Sequence, residues 1–445
     1  MIMSVDANHH KDLIRLALPI MLGQLCIIVL SFADTMMVGR CGTPELAAAG
    51  FVNNIFNLVI IFSTGFSYGL TPVVGGMFGK GEIHAAGGVF KNSLVVNGLA
   101  GLLLTGIMGV LYMHLHLLGQ PAELLPLIRP YYFILLASLV FILIFNAFKQ
   151  FFEAITDVMT PMFILMTGNL INIFGNWLLI YGNWGFPELG LMGAGVATLF
   201  SRILMPLAAM VVFLIADRYR DYRKGFHDNS ITRADLMQLN RLGLPVGLRM
   251  GMETSAFSLS TVMVGWIGTV ALAAHQVMMT VGQLGFMLYY GMAAAVAVKV
   301  SNYKGAGEYL AVRSSVKAGF QLTLLMVVAV SLLMLGFRRS VGYIFTDSVE
   351  VAAAVAQIII PFVIYQFGDG MQCVYANALR GISDVKMVTV YAFIAYFVIS
   401  LPSAYVFAFV FEMGLVGIWL SYPLGLTSAG LMFRSRFFRT LAGIK

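Results

Sequence analysis

Charge is what this 445-residue sequence has least of: 27 lysines and arginines and 20 aspartates and glutamates amount to 11% of the chain. An ordinary soluble domain carries about 25%. With 60% of residues hydrophobic and a mean hydropathy of +0.88, a water-soluble fold is excluded, because much of any globule's surface must face water. A disordered chain is excluded by the same hydrophobicity. The net charge of +7 rests on too few groups to build a phosphate-tracking groove, so no nucleic-acid partner is expected. Cysteine is nearly missing as well. Cys26, Cys41 and Cys373 form no C-x-x-C pair and sit in or beside apolar runs, which reads as small core residues. Catalytic signatures are missing too: no Walker A, H-E-x-x-H, G-x-S-x-G or helix-opening G-x-G-x-x-G occurs. The histidines do not read as a metal set. His9 and His10 are terminal, His114 and His116 fall at an outer membrane edge, His227 in a polar segment and His275 in an outer turn. No cofactor and no enzyme activity are expected.

What the chain has instead is long apolar runs. A membrane-spanning helix needs roughly 20 apolar residues, and a β-barrel would show short alternating segments of about 10. Twelve continuous runs are visible, at 14–39, 46–74, 89–116, 125–149, 158–182, 189–216, 243–268, 276–300, 315–337, 351–379, 387–410 and 414–433. The first has no small-residue cleavage site and reads as a retained span. The longest polar stretch, 217–241, divides the runs into two sets of six. With the N-terminus in the cytoplasm, twenty-one Lys and Arg fall on the cytoplasmic side and four (Arg40, Arg129, Arg338, Arg339) outside. That bias places both termini in the cytoplasm.

The two halves repeat. Shifted by 226 positions, Leu16–Pro19 (LALP) falls on Leu242–Pro245 (LGLP), Thr35–Gly39 (TMMVG) on Thr261–Gly265 (TVMVG), and Gly79, Gly81 and Glu82 on Gly305, Gly307 and Glu308. Near the same offset, ITDV at Ile155–Val158 meets ISDV at Ile382–Val385, and GLMG at Gly190–Gly193 meets GLVG at Gly414–Gly417. Six spans per half make the repeat parallel, as in transporters whose site lies between two lobes. The expected fold is therefore an all-α polytopic membrane protein. It has twelve transmembrane helices in two six-helix lobes, related by a pseudo-two-fold axis along the membrane normal. The lobes are 1–216 and 242–445, with a cytoplasmic linker at 217–241.

Against this apolar background three acids stand well inside the spans: Asp34, Glu253 and Asp369. An acid at mid-membrane costs about 2.5–3.5 kcal/mol on insertion scales and so marks a functional position. Their repeat partners are Ser260, Ile27 and Ile142; the scaffold is duplicated and the acids are not. Tyr365 lies one helical turn before Asp369, on the same face, and the pair offers oxygen to a hard cation or a path to a proton. Arg249 lies one turn before Glu253. If it pairs with that acid, it keeps the acid ionised and hinders sodium there. Asn169, Asn172 and Asn176 form a polar stripe on one helix face, suited either to interhelical hydrogen bonds or to a cavity lining. Gln24, Asn53, Asn54, Asn57, Gln276 and Gln283 are weaker cavity candidates.

The segments LPIMLGQ…ADTMMVGRCG around Asp34, GNWGFPELGLMGAGVAT (Gly182–Thr198), LPVGLRMGMET ending beside Glu253 and YQFGDGMQCVYANALRGISD (Tyr365–Asp384) together resemble the multidrug and toxic compound extrusion (MATE) family, in its bacterial NorM-like branch. The resemblance covers essentially the whole chain. It implies a monomeric antiporter of the bacterial inner membrane that expels cationic, amphiphilic drugs and dyes against inward sodium ions or protons. It implies that Glu253, Asp369 and Tyr365 hold the coupling cation, with sodium as a candidate, and that Asp34 serves in the N-terminal lobe. Asp347 matches an outer-edge acid of some relatives more weakly. Asn176 stands where some relatives have Asp. A lipid-linked oligosaccharide flippase of the same superfamily is the competing reading, but its cavity would need several basic residues, and only Arg202 and Arg249 fall inside spans. A membrane enzyme would need a nucleophile or metal constellation at one interface.

Overall fold

The computed structural model describes residues 2–118 and 121–444. Among the described residues every regular element is helical. In chain order the helices are α1 (Ile2–Gly39), α2 (Thr43–Ser67), α3 (Leu70–Lys80), α4 (Ile83–Met113), α5 (Leu125–Ala154), α6 (Met159–Tyr181), α7 (Leu191–Ile215) and α8 (Arg220–Asp228). They continue with α9 (Arg233–Ile267), α10 (Thr269–Gly305), α11 (Tyr309–Gly336), α12 (Val349–Gly381), α13 (Lys386–Phe393), α14 (Leu401–Tyr405) and α15 (Gly414–Ile444). Two π-helical stretches, Ile394–Ser400 and Val406–Val410, flank α14.

Among the described residues eleven helical stretches are long and apolar enough to cross a membrane, two of them, Thr43–Lys80 and Lys386–Val410, joining several of these elements. The expected seventh span, 243–268, lies in α9, which is continuous but carries Arg249, Glu253 and a run of serines and threonines. Its polarity, not its length, sets it apart. Apolar side chains face outward, as lipid requires. On α4, Leu99, Leu102, Leu103, Ile107 and Val110 are all more than half exposed and recur at helical spacing, an external stripe no soluble helix of this length would show. The molecule is a multi-pass membrane protein.

The chain packs as two compact units. One runs from Leu22 to Gly247; the other joins the segment ending at Met21 to Leu248 and everything after it. Each boundary falls two residues beyond a proline inside a helix, Pro19 in α1 and Pro245 in α9. The sequence, read by polarity, divides the chain at 217–241 instead. That segment is not a free tether. A side chain at Gly87 would run into the backbone of Tyr222, and one at Gly225 into the backbone of His84, so α8 lies directly against α4. Phe90 then stacks on Phe151 at 4.2 Å and meets Phe148 and Phe213 edge-on, while Phe226 and Tyr222 from α8 close the same cluster. Aromatic pairs of this kind contribute about 0.5–1.5 kcal/mol each beyond area burial.

The repeat seen in the sequence is also present in the backbone. Gly81 and Gly307 have φ of 76° and 77°, and Gly190 and Gly414 have 54° and 55°. Thr156 and Ser383, where a side chain makes the left-handed conformation cost about 1–2 kcal/mol, have 68° and 67°. Each ends a helix in the same way: the next residue, Asp157 or Asp384, donates its N–H five residues back, to Phe152 or Leu379, at 2.9 Å. Each aspartate then takes an arginine and a threonine. Asp157 holds Arg218 at 3.3 Å and Thr160 at 2.8 Å; Asp384 holds Arg436 at 2.6 Å and Thr440 at 2.7 Å.

Candidate functional site

The acids sort into two separate environments, one in each unit. In the unit from Leu248 onward, Tyr365, Asp369, Gln372 and Cys373 follow one another at spacings of four, three and one along α12, which puts them on one side of the helix. Neighbouring helices approach closely because α12 presents glycines to them. A Cβ at Gly368 would lie 2.7 Å from Thr427 of α15, and one at Gly370 would lie 3.0 Å from Thr323 of α11. Arg249 and Glu253 are one turn apart on α9 and form an ion pair, Nη1 to Oε2, at 3.0 Å.

Gln372 connects the two acids. Its Nε2 donates to Glu253 Oε1 at 2.9 Å and to Asp369 Oδ1 at 3.1 Å. Its Oε1 accepts from the Tyr396 hydroxyl at 3.1 Å. The Cys373 thiol adds a weak donor to Asp369 Oδ1 at 3.8 Å. Arg249, Asp369, Gln372 and Tyr396 are all buried. Tyr365 sits beside this cluster with its ring among Phe362, Trp419 and Tyr422, at centroid distances of 5.4, 6.2 and 6.3 Å. With both acids ionised, two carboxylates face one guanidinium, and the cluster carries one net negative charge. A buried, uncompensated charge is costly, so the arrangement favours gaining one monovalent cation or one proton. Oxygen is the dominant donor atom, as a hard cation needs.

In the unit from Leu22 to Gly247, Asp34 accepts from Asn176 Nδ2. Asn176 also donates to Asn172 Oδ1 at 3.2 Å, and Asn172 donates to Thr198 Oγ1 at 3.1 Å. Two members of the asparagine stripe are thus engaged in a chain of hydrogen bonds. Asn169, the third, is buried with its Nδ2 unpartnered. Asn53 accepts from Tyr131 at 3.3 Å, and Arg202 donates to Ser138 at 2.7 Å. Gln24 is buried on α1. Gln283 belongs to the other unit and is exposed on α10. Asn54, Asn57 and Gln276 are exposed too, and Asp347 lies in an exposed turn before α12.

Several positions differ from the sequence expectation. His275 is not in an outer turn. It lies within α10, fully buried, with Nε2 3.0 Å from Thr261 Oγ1 and its ring 5.5 Å from Trp419. Lys149 and Arg380, counted among cytoplasmic charges, are buried near the ends of α5 and α12. A second buried acid, besides Asp369, accompanies Lys149: Glu153, 3.8 Å from its ammonium and 3.1 Å from Gln150 Nε2. The K-Q-x-x-E spacing at 149–153 was the available signal, hidden because charges at the end of a run read as loop. Gln372 was legible as the residue three after Asp369. Tyr396 was not, since it lies in a π-helical stretch where the 3.6-residue period no longer predicts the face.

The MatE family matches residues 19–178 and 245–406, two segments that coincide with the internal repeat. A probable multidrug resistance protein NorM of Bradyrhizobium diazoefficiens is 30% identical over 439 residues, covering 96% of this chain and 94% of that protein. Among solved structures, the fold is similar to a point mutant of the Vibrio cholerae MATE transporter VcmN, with a TM-score of 0.90 at 19% identity, covering 99% of this chain and 98% of that one. It is also similar to a MOP superfamily transporter from Pyrococcus furiosus, with a TM-score of 0.87 at 20% identity, covering 98% and 96%. The chain belongs to the MatE family of membrane transporters.

Proposed function

We propose that this protein is a cation-coupled multidrug antiporter of a bacterial inner membrane, acting as a monomer with both termini in the cytoplasm. The observation that carries the reading is the pairing of Glu253 and Asp369 through the buried Gln372, with Arg249 leaving one net negative charge. A sodium ion or proton moving inward and an organic cation moving outward compete for that charge. Each can neutralise the site, and neither leaves until the other can replace it, which couples the two fluxes. Tyr365 and its aromatic neighbours give an amphiphilic cation a π-face to rest on. Arg249 occupies Oε2 of Glu253 and leaves Asp369 as the acid without a cationic partner in the cluster, so Asp369 is the principal carrier of coupling. Asp34, held by Asn176, is the candidate acid of the other unit, at a position the repeat fills with Ser260. A flippase handling pyrophosphate is disfavoured, because Arg249 is committed to a carboxylate.

The test is ethidium or norfloxacin transport by purified protein in proteoliposomes, under a sodium gradient alone and then a proton gradient alone. Transport under only one of them names the ion. Undiminished transport with neither gradient present, or hydrolytic turnover of a substrate in their absence, overturns the antiport reading.

A further inference from the structure

Gln372 is fully buried at the centre of the acid cluster. Its amide nitrogen carries two protons and donates to two carboxylates, so its donor capacity is used in full. Its oxygen is turned away, toward the Tyr396 hydroxyl. The terminal torsion of a glutamine side chain is broad and roughly two-fold. A half-turn exchanges a two-proton donor for an oxygen with two lone pairs and hardly alters the shape. Tyr396 suits both ends of the amide, because a phenol donates to an oxygen and accepts from an N–H. Gln372 therefore has two orientations in which the end facing Tyr396 is hydrogen-bonded; the end facing the acids is satisfied by the carboxylates when it is nitrogen and needs a cation when it is oxygen.

Those orientations answer opposite states of the site. With nitrogen toward the acids, the amide complements two ionised carboxylates. A cation there reverses the requirement, since a hard cation takes oxygen ligands and repels an N–H donor. Arg249 need not move in either case, because it holds Oε2 of Glu253 while Gln372 bonds Oε1.

We propose that the Gln372 side chain is an amide toggle: its nitrogen holds Glu253 and Asp369 together when no ion is bound, and its oxygen turns toward them as an additional ligand when sodium is. This inference rests on the reading of Glu253 and Asp369 as the coupling site. The toggle turns Tyr396 from donor to acceptor each time sodium binds. Tyr396 is carried by the π-helical stretch Ile394–Ser400, where helix geometry departs from the ordinary turn.

The experiment measures binding of radioactive sodium to the purified full-length protein in detergent. Gln372→Met fills the space but supplies neither donor nor ligand. The toggle predicts affinity about tenfold weaker, the size of one lost interaction with a charged group. Gln372→Glu supplies oxygen in either orientation and binds sodium at least as tightly as the unaltered protein. If Gln372 is only a clamp that competes with sodium, both variants bind more tightly, which overturns the toggle. A second readout needs no variant at position 372: sodium-induced infrared difference spectra, with the Tyr396 band assigned by its loss in Tyr396→Phe. The toggle predicts a shift of that band from hydrogen-bond donor to acceptor; an unmoved band overturns it. Asp369→Asn separates the two levels. If it abolishes sodium binding while Gln372→Met does not weaken it, the toggle falls and the coupling site stands. If it binds sodium normally, both fall; if the unaltered protein binds none, the toggle falls and the coupling site stands as a proton site.

Discussion

The units beginning at Leu22 and at Leu248 share a backbone and differ in their interiors. Thr156 and Ser383 end equivalent helices with the same left-handed turn, and Asp157 and Asp384 each collect an arginine and a threonine. Inside, one unit holds Asp34, bonded by an asparagine, and separately the Lys149–Glu153 pair; the other holds two acids, an arginine and a bridging amide in one cluster. Turn geometry constrains only where chains reverse, and two copies meet that demand identically. Buried charge must be compensated by specific neighbours, and here the compensation was built in each unit by different residues. The difference assigns scaffold to the repeated features and chemistry to the unrepeated ones.

The strongest way to break that comparison is to neutralise one acid in each unit. Asp369→Asn should reduce ethidium efflux to background with normal protein in the membrane, whereas Asp34→Asn should leave a measurable fraction. Equal losses, or the reverse order, would mean Asp34 carries the coupling. Next in size is the ion pair. Arg249→Met leaves Glu253 buried and unpaired, and thermal unfolding in detergent should show a loss of about 3–5 kcal/mol. Adding Glu253→Gln should recover most of that stability without restoring transport. A recovery of transport would show Glu253 to be structural.

The repeated features should respond alike in both units. Asp157→Ala and Asp384→Ala each remove a charge-assisted bond and a threonine contact, with the Tyr219 hydroxyl lost in the first and a second Arg436 bond in the second, and each should cost about 1–3 kcal/mol. Unequal losses would show that the two turns are not equivalent supports. Smallest of all, Thr156→Gly and Ser383→Gly relieve a left-handed side chain but loosen the unfolded chain, for a net gain of about 0.5–1 kcal/mol each. Melting temperatures that fall would show that the side chains serve a purpose beyond the turn.

The fold was largely readable from the amino acids, because apolar length and the repeat offset depend on residues counted along the chain. Eleven spans stand where expected, and α9 is displaced from the set only by its polar residues. The Arg249–Glu253 pair was readable as well, being one turn apart. What the sequence concealed depended on contacts between distant segments. Gln372 reaches Glu253 across 119 positions, and Tyr396 reaches Gln372 from a stretch whose period is not that of an α-helix. Lys149 and His275 were misplaced, and Glu153 went unmarked, for a third reason: polar residues near the ends of apolar runs look solvated until packing buries them.

The packing of α8 against α4 has a practical consequence. The polar stretch after Ile215 looks like a natural place to cut the gene or to insert a reporter. A cut at 216/217 would strip the first unit of Tyr219, Tyr222 and Phe226, which line its aromatic cluster around Phe90, and would separate Asp157 from Arg218. Ser230 and Ile231, both exposed and outside any helix, are where a tag or a protease site can be placed without opening that unit.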